Sequence, residues 1–282
     1  MPKNQYAENY SDFLHCFSKK KRLWYLIRNI VIYPLSLKTH KISTSEWIRF
    51  PYYHYVFDDE RHGFERQLRF MRNMGEFISL DNAVELLREQ RKIGGRYFCI
   101  TFDDGFKNVA TNAWPILSEL GCPAAVFVAT DYIGSDIQRD QALLTRFYAT
   151  TGYPMPIEFL SWDDCRQLLK IGATIGSHTC SHLRMSALSP EAVQEQLRKS
   201  KEAIETELGI VCRHFSAPWG RPSQDFRQES DPILAREMGY SSFLTSERGL
   251  NFQGQSPYHI RRDQLRAGWS NYQLRYFFSR NN

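Results

Sequence analysis

Short apolar segments and amphipathic segments alternate about seven times between residues 50 and 262. The apolar run at 123–130 has the composition of a buried strand, and residues 189–208 have helical periodicity. The last strand is expected at 258–262. Because strands that alternate with helices pair in parallel, this order predicts an α/β fold whose parallel sheet closes into a barrel.

Two adjacent carboxylates follow one of these strands. The run Ile100–Phe102 is apolar and β-favouring, and it leads directly into Asp103, Asp104 and Gly105. Neighbouring side chains of an extended strand point to opposite sides, so one acid could hold a cation while the other stays free as a base. The alternative is an ordinary turn, in which Asp-Asp-Gly is also common.

A pair of histidines follows another short strand. Residues 173–175 are strand-like and lead into a polar stretch in which His178 and His182 are four positions apart. On one side of a helical turn, both imidazoles could reach a single ion. Two histidines and one aspartate leave open positions for water and substrate, which suits a catalytic metal. The alternative is an accidental pair on a solvated helix.

Together these stretches resemble the polysaccharide deacetylases (carbohydrate esterase family four). Residues 101–105 and 178–182 are similar to the first two motifs of the family, and 216–220 to an altered third motif. Tyr53-His54 is similar to a pair in the branch that acts on poly-N-acetylglucosamine-type glycans. The resemblance runs from Phe50 to Arg262 and implies a distorted seven-stranded (β/α) barrel, in agreement with the alternation.

The resemblance also implies roles for the acidic and histidine side chains. Asp104, His178 and His182 would bind a divalent metal ion, Zn²⁺ or else Co²⁺, Ni²⁺ or Mn²⁺, and Asp103 would be the general base. Cys180 lies between the two histidines, but the aspartate and the histidine pair already complete a site.

The third motif departs from the family pattern. A main-chain N–H after Pro218, which here belongs to Trp219, would bind the oxyanion, and the indole would form a wall for a sugar ring. A rim or core aromatic is the alternative for Trp219. The arginine that usually begins this motif and orients the base is replaced by Ser216. The sequence therefore does not identify the residue that would orient Asp103.

The sequence also leaves open which residue would be the general acid. The family takes it from a motif with an apolar residue two positions before a histidine, and no clear copy is present. His259 is one candidate, His54 near the end of the first strand is its rival, and a structural histidine is the third interpretation. Without a positioned acid, departure of the amine would be slow.

The domain prediction is an N-terminal extension at 1–46 and a catalytic domain at 47–282. Within the extension, 19–22 are basic and 23–38 are largely apolar, but the apolar stretch is too short and too interrupted to span a bilayer. It fits a helix lying in the membrane interface, as a peripheral membrane contact. The alternative is a helix packed on the barrel with its lysines solvated.

One insertion is expected between the strands. Residues 131–159 are polar and aromatic with two prolines, which predicts a loop over the mouth of the barrel. Ser161 with Asp164 then predicts the start of a helix through a capping box.

Composition excludes other classes of function. The net charge of +5 is mild, and no basic run is interleaved with aromatic residues as a nucleic-acid groove requires. The six cysteines have no paired spacing, and the first residues contain no apolar core of a signal peptide. We therefore expect reduced thiols and a cytoplasmic protein, associated with the inner face of the membrane.

The resemblance to the polysaccharide deacetylases implies a metal-dependent carbohydrate deacetylase, a hydrolase of carbon–nitrogen bonds other than peptide bonds. Its substrate would be an acetylated amino sugar in surface polysaccharide metabolism, either a GlcNAc-type glycan or a carrier-linked intermediate. Two alternatives remain, an O-acetyl esterase on the same scaffold and a catalytically weak glycan-binding protein.

Overall fold

The computed structural model describes residues 6–37, 46–89 and 92–279. Its centre is a parallel seven-stranded sheet in the order β10-β2-β5-β6-β7-β8-β9, and a smaller parallel sheet has the order β1-β4-β3. The strands are β1 Trp47–Arg49, β2 Pro51–Tyr53, β3 Glu76–Phe77, β4 Arg96–Phe98, β5 Ile100–Phe102, β6 Ala124–Val128, β7 Thr174–Ser177, β8 His214–Ser216, β9 Ser242–Leu244 and β10 Asp263–Gln264.

The large sheet curls until its two edges meet. At one edge, Ile260 forms a parallel bridge with Leu244 of β9, and its N–H donates to the Phe243 carbonyl at 3.1 Å. Three residues later, Asp263 begins β10 and pairs with β2 at the other edge. The stretch 260–264 therefore contacts both edges, and the predicted distorted seven-stranded (β/α) barrel is confirmed.

The last strand lies later than predicted. Within 258–262 the structure has only the bridge at Ile260, and regular pairing begins at Asp263. The sequence of 258–262 favours a strand, but the chain turns at 257–259 as it crosses between the two edges, so no continuous ladder forms there.

Two apolar layers enclose the sheet. Along β6, Ala124, Val126 and Val128 belong to the larger core cluster, whereas Ala125 and Phe127 belong to a second cluster on the opposite face. Because successive strand side chains alternate between faces, both sides of this strand are apolar. This explains why the sequence around it reads as a continuous apolar run.

The helices surround the sheet. They are α1 Tyr10–His15, α2 Lys19–Leu37, α3 Arg61–Arg72, α4 Leu80–Arg88, α5 Trp114–Glu119, α6 Gln141–Thr151, α7 Trp162–Lys170, α8 Pro190–Leu208, α9 Asp231–Glu237 and α10 Asn271–Ser279. The predicted capping box of α7 is confirmed, because Ser161 and Asp164 satisfy each other's backbone N–H groups. None of the helices in these described ranges has the length and apolar character needed to cross a membrane.

The insertion at 131–159 is not the loop that the sequence predicts, because it contains α6. Leu144 and Phe147 of this helix are buried, and Gly152 ends it in a left-handed conformation. The helix forms because its aromatic face joins a cluster that no local pattern reveals. Phe147 contacts Phe106 and Phe159, and Phe13 of α1 belongs to the same cluster.

Candidate active site at the carboxyl edge of the barrel

A cavity of about 420 Å³ opens beyond the carboxyl ends of the strands. Several of the residues that line it follow β2, β5, β7 and β8, since parallel strands deliver their carboxyl ends to one edge of the sheet. Six residues singled out in the sequence meet here, namely His54, Asp103, Asp104, His178, His182 and Trp219.

Asp104, His178 and His182 form a compact, buried cluster. One ligand atom from each lies within 4.8 Å of the others. Asp104 Oδ1 is 3.1 Å from His182 Nε2 and 3.5 Å from His178 Nε2. On the other side of its ring, His178 Nδ1 is 2.7 Å from the Ser216 carbonyl oxygen. This contact assigns the proton to Nδ1 and leaves the Nε2 lone pair facing Asp104, as a metal ligand requires.

The cluster fits a divalent cation. Asp104 Oδ1 is buried and accepts no hydrogen bond from any residue in the described ranges, which is costly for a carboxylate oxygen. Burial raises the pKa of Asp104, but His182 and His178 more than offset it and hold the pKa well below its usual range. Burial lowers the pKa of His182. A buried carboxylate beside two imidazoles is the donor set that zinc-type ions take.

The insertion supplies a further contact to this cluster. The Tyr153 hydroxyl, which follows the end of α6, donates to Asp104 Oδ2 at 2.9 Å. Burial and the neighbouring carboxylate raise the pKa of Tyr153 well above its usual value, so the hydroxyl stays a donor. Sequence reasoning missed Tyr153, and nothing in a single sequence marks one tyrosine of an aromatic insertion.

Asp103 is oriented by Arg262, which supplies the partner that the sequence left open. Two nitrogens of the guanidinium donate to the two carboxylate oxygens at 2.8 and 2.6 Å. Ser216 Oγ accepts from the same guanidinium at 2.8 Å and lies 3.3 Å from Asp103 Oδ1. The small side chain of Ser216 leaves room for an arginine from the opposite edge of the sheet.

Arg262 is itself fixed from several sides. Its Nε donates to the Thr245 carbonyl at 2.8 Å, and its guanidinium lies 4.2 Å from the centre of the Tyr52 ring. Burial raises the pKa of Asp103, but the charge and hydrogen bonds of Arg262 outweigh burial and lower that pKa overall. Asp103 is therefore an ionised carboxylate in a fixed orientation.

The backbone is strained where these side chains project. Asp104, Thr179, His182 and Trp219 have φ values of 71°, 64°, 50° and 56°, in the left-handed region that side chains other than glycine seldom adopt. Such conformations persist only where the surroundings enforce them, and they cluster at functional sites. Here they turn the carboxylate, the imidazole and the indole toward the cavity.

Not all of the residues predicted to contact the substrate or the oxyanion line the cavity. The Trp219 ring lies 4.6 Å from the His182 ring and forms one wall, whereas Pro218 does not line the cavity. His54 lines the cavity beside Tyr153, at 6.4 Å between ring centres.

His259 does not reach the cavity, so its assignment as general acid is corrected here. Its Nε2 lies 2.8 Å from Glu247 Oε2. The neighbouring Ile260 is buried in the core, whereas the His259 side chain is partly exposed and does not line the cavity.

Comparison with known proteins places this geometry in a family. A family model described as polysaccharide deacetylase matches residues 90–241. The YxkH protein of Bacillus subtilis (strain 168), whose name assigns it provisionally to the polysaccharide deacetylases, is 23% identical over 235 residues, which are 83% of this chain and 72% of that protein.

Solved structures share the fold. IcaB from Ammonifex degensii has a TM-score of 0.66 at 21% identity, with 84% of this chain and 100% of that one covered. Streptococcus pyogenes deacetylase PplD, in complex with acetate, has a TM-score of 0.65 at 18% identity, with 83% and 99% covered. A de-N-acetylase from Aggregatibacter actinomycetemcomitans has a TM-score of 0.61 at 13% identity, with 83% and 98% covered. At these identities the likeness shows the fold alone.

The match to the family model spans more than half of the chain and contains both the Asp103-Asp104 pair and the two histidines of the cluster. The resemblance noted in the sequence is therefore confirmed, and the chain belongs to the polysaccharide deacetylase family.

Proposed function

We propose that the protein hydrolyses the N-acetyl group of an acetylated amino sugar, in a GlcNAc-type glycan or a carrier-linked intermediate of surface polysaccharide metabolism. One observation carries the proposal. Asp103 and Asp104 are adjacent in the chain, yet Asp103 is paired with Arg262 and Asp104 faces two imidazoles. Two neighbouring carboxylates with such different environments suit a base and a metal ligand.

Asp104, His178 and His182 would hold the metal ion, Zn²⁺ or another divalent cation such as Co²⁺, Ni²⁺ or Mn²⁺. When bound, such an ion supplies Lewis-acid activation of water and of the acetyl carbonyl. The Nδ1 contact of His178 to the Ser216 carbonyl keeps that imidazole oriented for the ion.

Asp103 would take the proton from the attacking water. Arg262 keeps its carboxylate ionised and fixes its direction, which is what a base needs before substrate arrives. The new bond joins the water oxygen to the acetyl carbon, and the backbone N–H of Trp219 would donate to the developing oxyanion. The carbon–nitrogen bond then breaks and the amine requires a proton.

His54 is our candidate for the group that delivers this proton. Apart from the two histidines of the metal cluster, it is the histidine of the described residues that lines the cavity. It lies at the end of β2, next to the strand that carries both carboxylates. The A. actinomycetemcomitans protein of similar fold is described as a de-N-acetylase, and this description supports the proposed removal of an N-acetyl group.

The test is acetate release from N-acetylglucosamine oligosaccharides by purified protein, before and after treatment with a chelator and after re-addition of Zn²⁺. We expect chelation to abolish release and Zn²⁺ to restore it. Asp103→Asn should abolish turnover while retaining stoichiometric zinc, measured by elemental analysis. Release that is unaffected by both the chelator and Asp103→Asn would contradict the proposal.

The same assay separates the two alternatives. O-acetylated sugars of matched structure would be cleaved faster than N-acetylated ones by an esterase. A glycan-binding protein would bind the oligosaccharides and zinc but release no acetate from either.

A further inference from the structure

Helix α2 exposes an unusual amount of apolar surface. Thirteen large apolar side chains are exposed in the described part of the chain, and nine of them belong to this one helix. Leu26 is 58% exposed, Ile30 63% and Leu37 71%. Scattered exposed apolar residues are normal, but a contiguous apolar face on one element marks an interaction surface.

The opposite face of α2 is anchored on the barrel. Ile32 is buried, the amide of Gln273 in α10 donates to Asn29 at 2.9 Å, and the Tyr33 and Tyr272 rings are 5.3 Å apart. Arg28 lies over the Trp269 ring at 5.1 Å. The helix is therefore held in a fixed orientation with its apolar face outward.

The charges of α2 indicate what covers this face. The helix begins with Lys19, Lys20, Lys21 and Arg22, and its sequence contains no aspartate or glutamate. None of these four cations forms an ion pair with a residue in the described ranges. Cations at a helix N-terminus oppose the helix dipole, so stability of the helix does not explain them.

The cations, which have no ion-pair partner among the described residues, lie beside an apolar helix face that includes Trp24. This combination complements the headgroups and the upper acyl region of an anionic phospholipid bilayer. A protein partner with an apolar groove would not need the basic cluster, and a second copy of the chain would bring like charges together.

The same helix forms part of the rim of the cavity. Lys21 and Tyr25 line it, together with Phe17 just before the helix. Arg266, which lines the cavity from the barrel side, donates to the Tyr25 hydroxyl at 3.0 Å. A surface bound by α2 therefore lies next to the opening through which a substrate enters.

We propose that α2 docks the protein on an anionic phospholipid surface and places the mouth of the cavity at that surface. The substrate would then be a sugar carried on or held at a membrane. Docking itself does not depend on the proposed hydrolysis, so the two can fail separately.

The experiment is flotation of the full chain with vesicles of phosphatidylglycerol and phosphatidylcholine, compared with vesicles of phosphatidylcholine alone. We expect binding to the anionic vesicles that weakens at high salt. Leu26→Glu combined with Ile30→Glu should lower vesicle affinity at least tenfold. Lys19→Gln combined with Lys20→Gln should lower it only on anionic vesicles.

Matched controls are Ile171→Glu and Val211→Glu, which change apolar side chains of similar exposure elsewhere on the molecule. These variants should bind vesicles like the unchanged protein. All variants should keep the melting temperature and the activity on a soluble acetylated oligosaccharide. The proposal would be overturned if the protein did not bind vesicles, or if the controls lost as much affinity as the α2 variants. It would also be overturned if light scattering showed a dimer that Leu26→Glu with Ile30→Glu dissociates.

Discussion

Asp103 and Arg262 are 159 positions apart in the chain and form a buried bidentate ion pair. A pair with this geometry is expensive to break from one side, because the remaining charge stays buried without a partner. The pair also fixes the protonation state of Asp103, so its loss should be visible in the pH dependence of catalysis as well as in its rate.

Arg262→Ala should therefore lower kcat/KM by roughly 10²-fold or more, in the range of a lost general base. In the unchanged protein Arg262 holds the pKa of Asp103 below its usual range. Removal raises that pKa, so the acidic limb of the pH–rate profile should move to higher pH. The measurement is kcat/KM against pH.

Arg248→Ala is the control for this change, because Arg248 lines the same cavity while its nearest carboxylate is Asp263, not Asp103. Arg262→Lys should restore part of the rate, since a single charge remains near the carboxylate. An unshifted acidic limb in Arg262→Ala would mean that the arginine does not set the ionisation of Asp103.

The elements differ in how far the sequence reveals them. Helix α8 is predictable because Ser189 caps its start and Gly209 ends it, and both signals are local. Strand β6 is predictable because both of its faces are apolar. Helix α6 is not, because its stability comes from an aromatic cluster to which Phe13 contributes from far along the chain.

The candidate site likewise contains residues that the sequence predicts and residues that it does not. Asp103, Asp104, His178 and His182 follow strand ends, and the barrel brings them together as their positions predict. The contacts of Arg262 and Tyr153 depend on barrel closure and on the folding of the insertion. No spacing in the sequence encodes either contact, so neither the partner of Asp103 nor the hydroxyl that contacts Asp104 can be predicted from it.

At the scale of the insertion, Tyr153→Phe should weaken zinc affinity by roughly tenfold, the range for loss of a hydrogen bond to a metal ligand. The reason is that Asp104 Oδ2 would lose the donor that orients the carboxylate. The measurement is competition with a zinc-chelating dye. Tyr258→Phe, whose hydroxyl donates to the Tyr240 carbonyl outside the cavity, is the matched control. Equal affinities for both variants would exclude this role.

On the scale of the whole molecule, Glu60 connects the turn after β2 to the stretch that follows β10. Its carboxylate accepts from the Phe57 N–H at 3.3 Å and from the Gly268 N–H at 2.9 Å. Burial raises the pKa of Glu60 to about 7. The folded state therefore keeps a proton at this carboxyl over a pH range in which the unfolded chain has released it.

The free energy of unfolding should consequently fall as the pH rises from about 4.5 to 7, because the folded state binds more protons than the unfolded one in this window. Glu60→Gln removes the titration and should flatten that fall. The measurement is urea unfolding of both proteins at pH 5 and pH 8. An equal change in the free energy of unfolding between pH 5 and pH 8 in the two proteins would show that Glu60 does not titrate in this range.

The closure of the barrel has a consequence for the order in which the protein becomes active. The metal-ligand candidates all precede residue 183, whereas Arg262 belongs to the stretch that joins the two sheet edges. During synthesis on the ribosome, these candidate ligands emerge long before Arg262, the residue that orients Asp103. A chain interrupted before residue 262 would thus contain every residue of the proposed metal site but lack the arginine that orients Asp103.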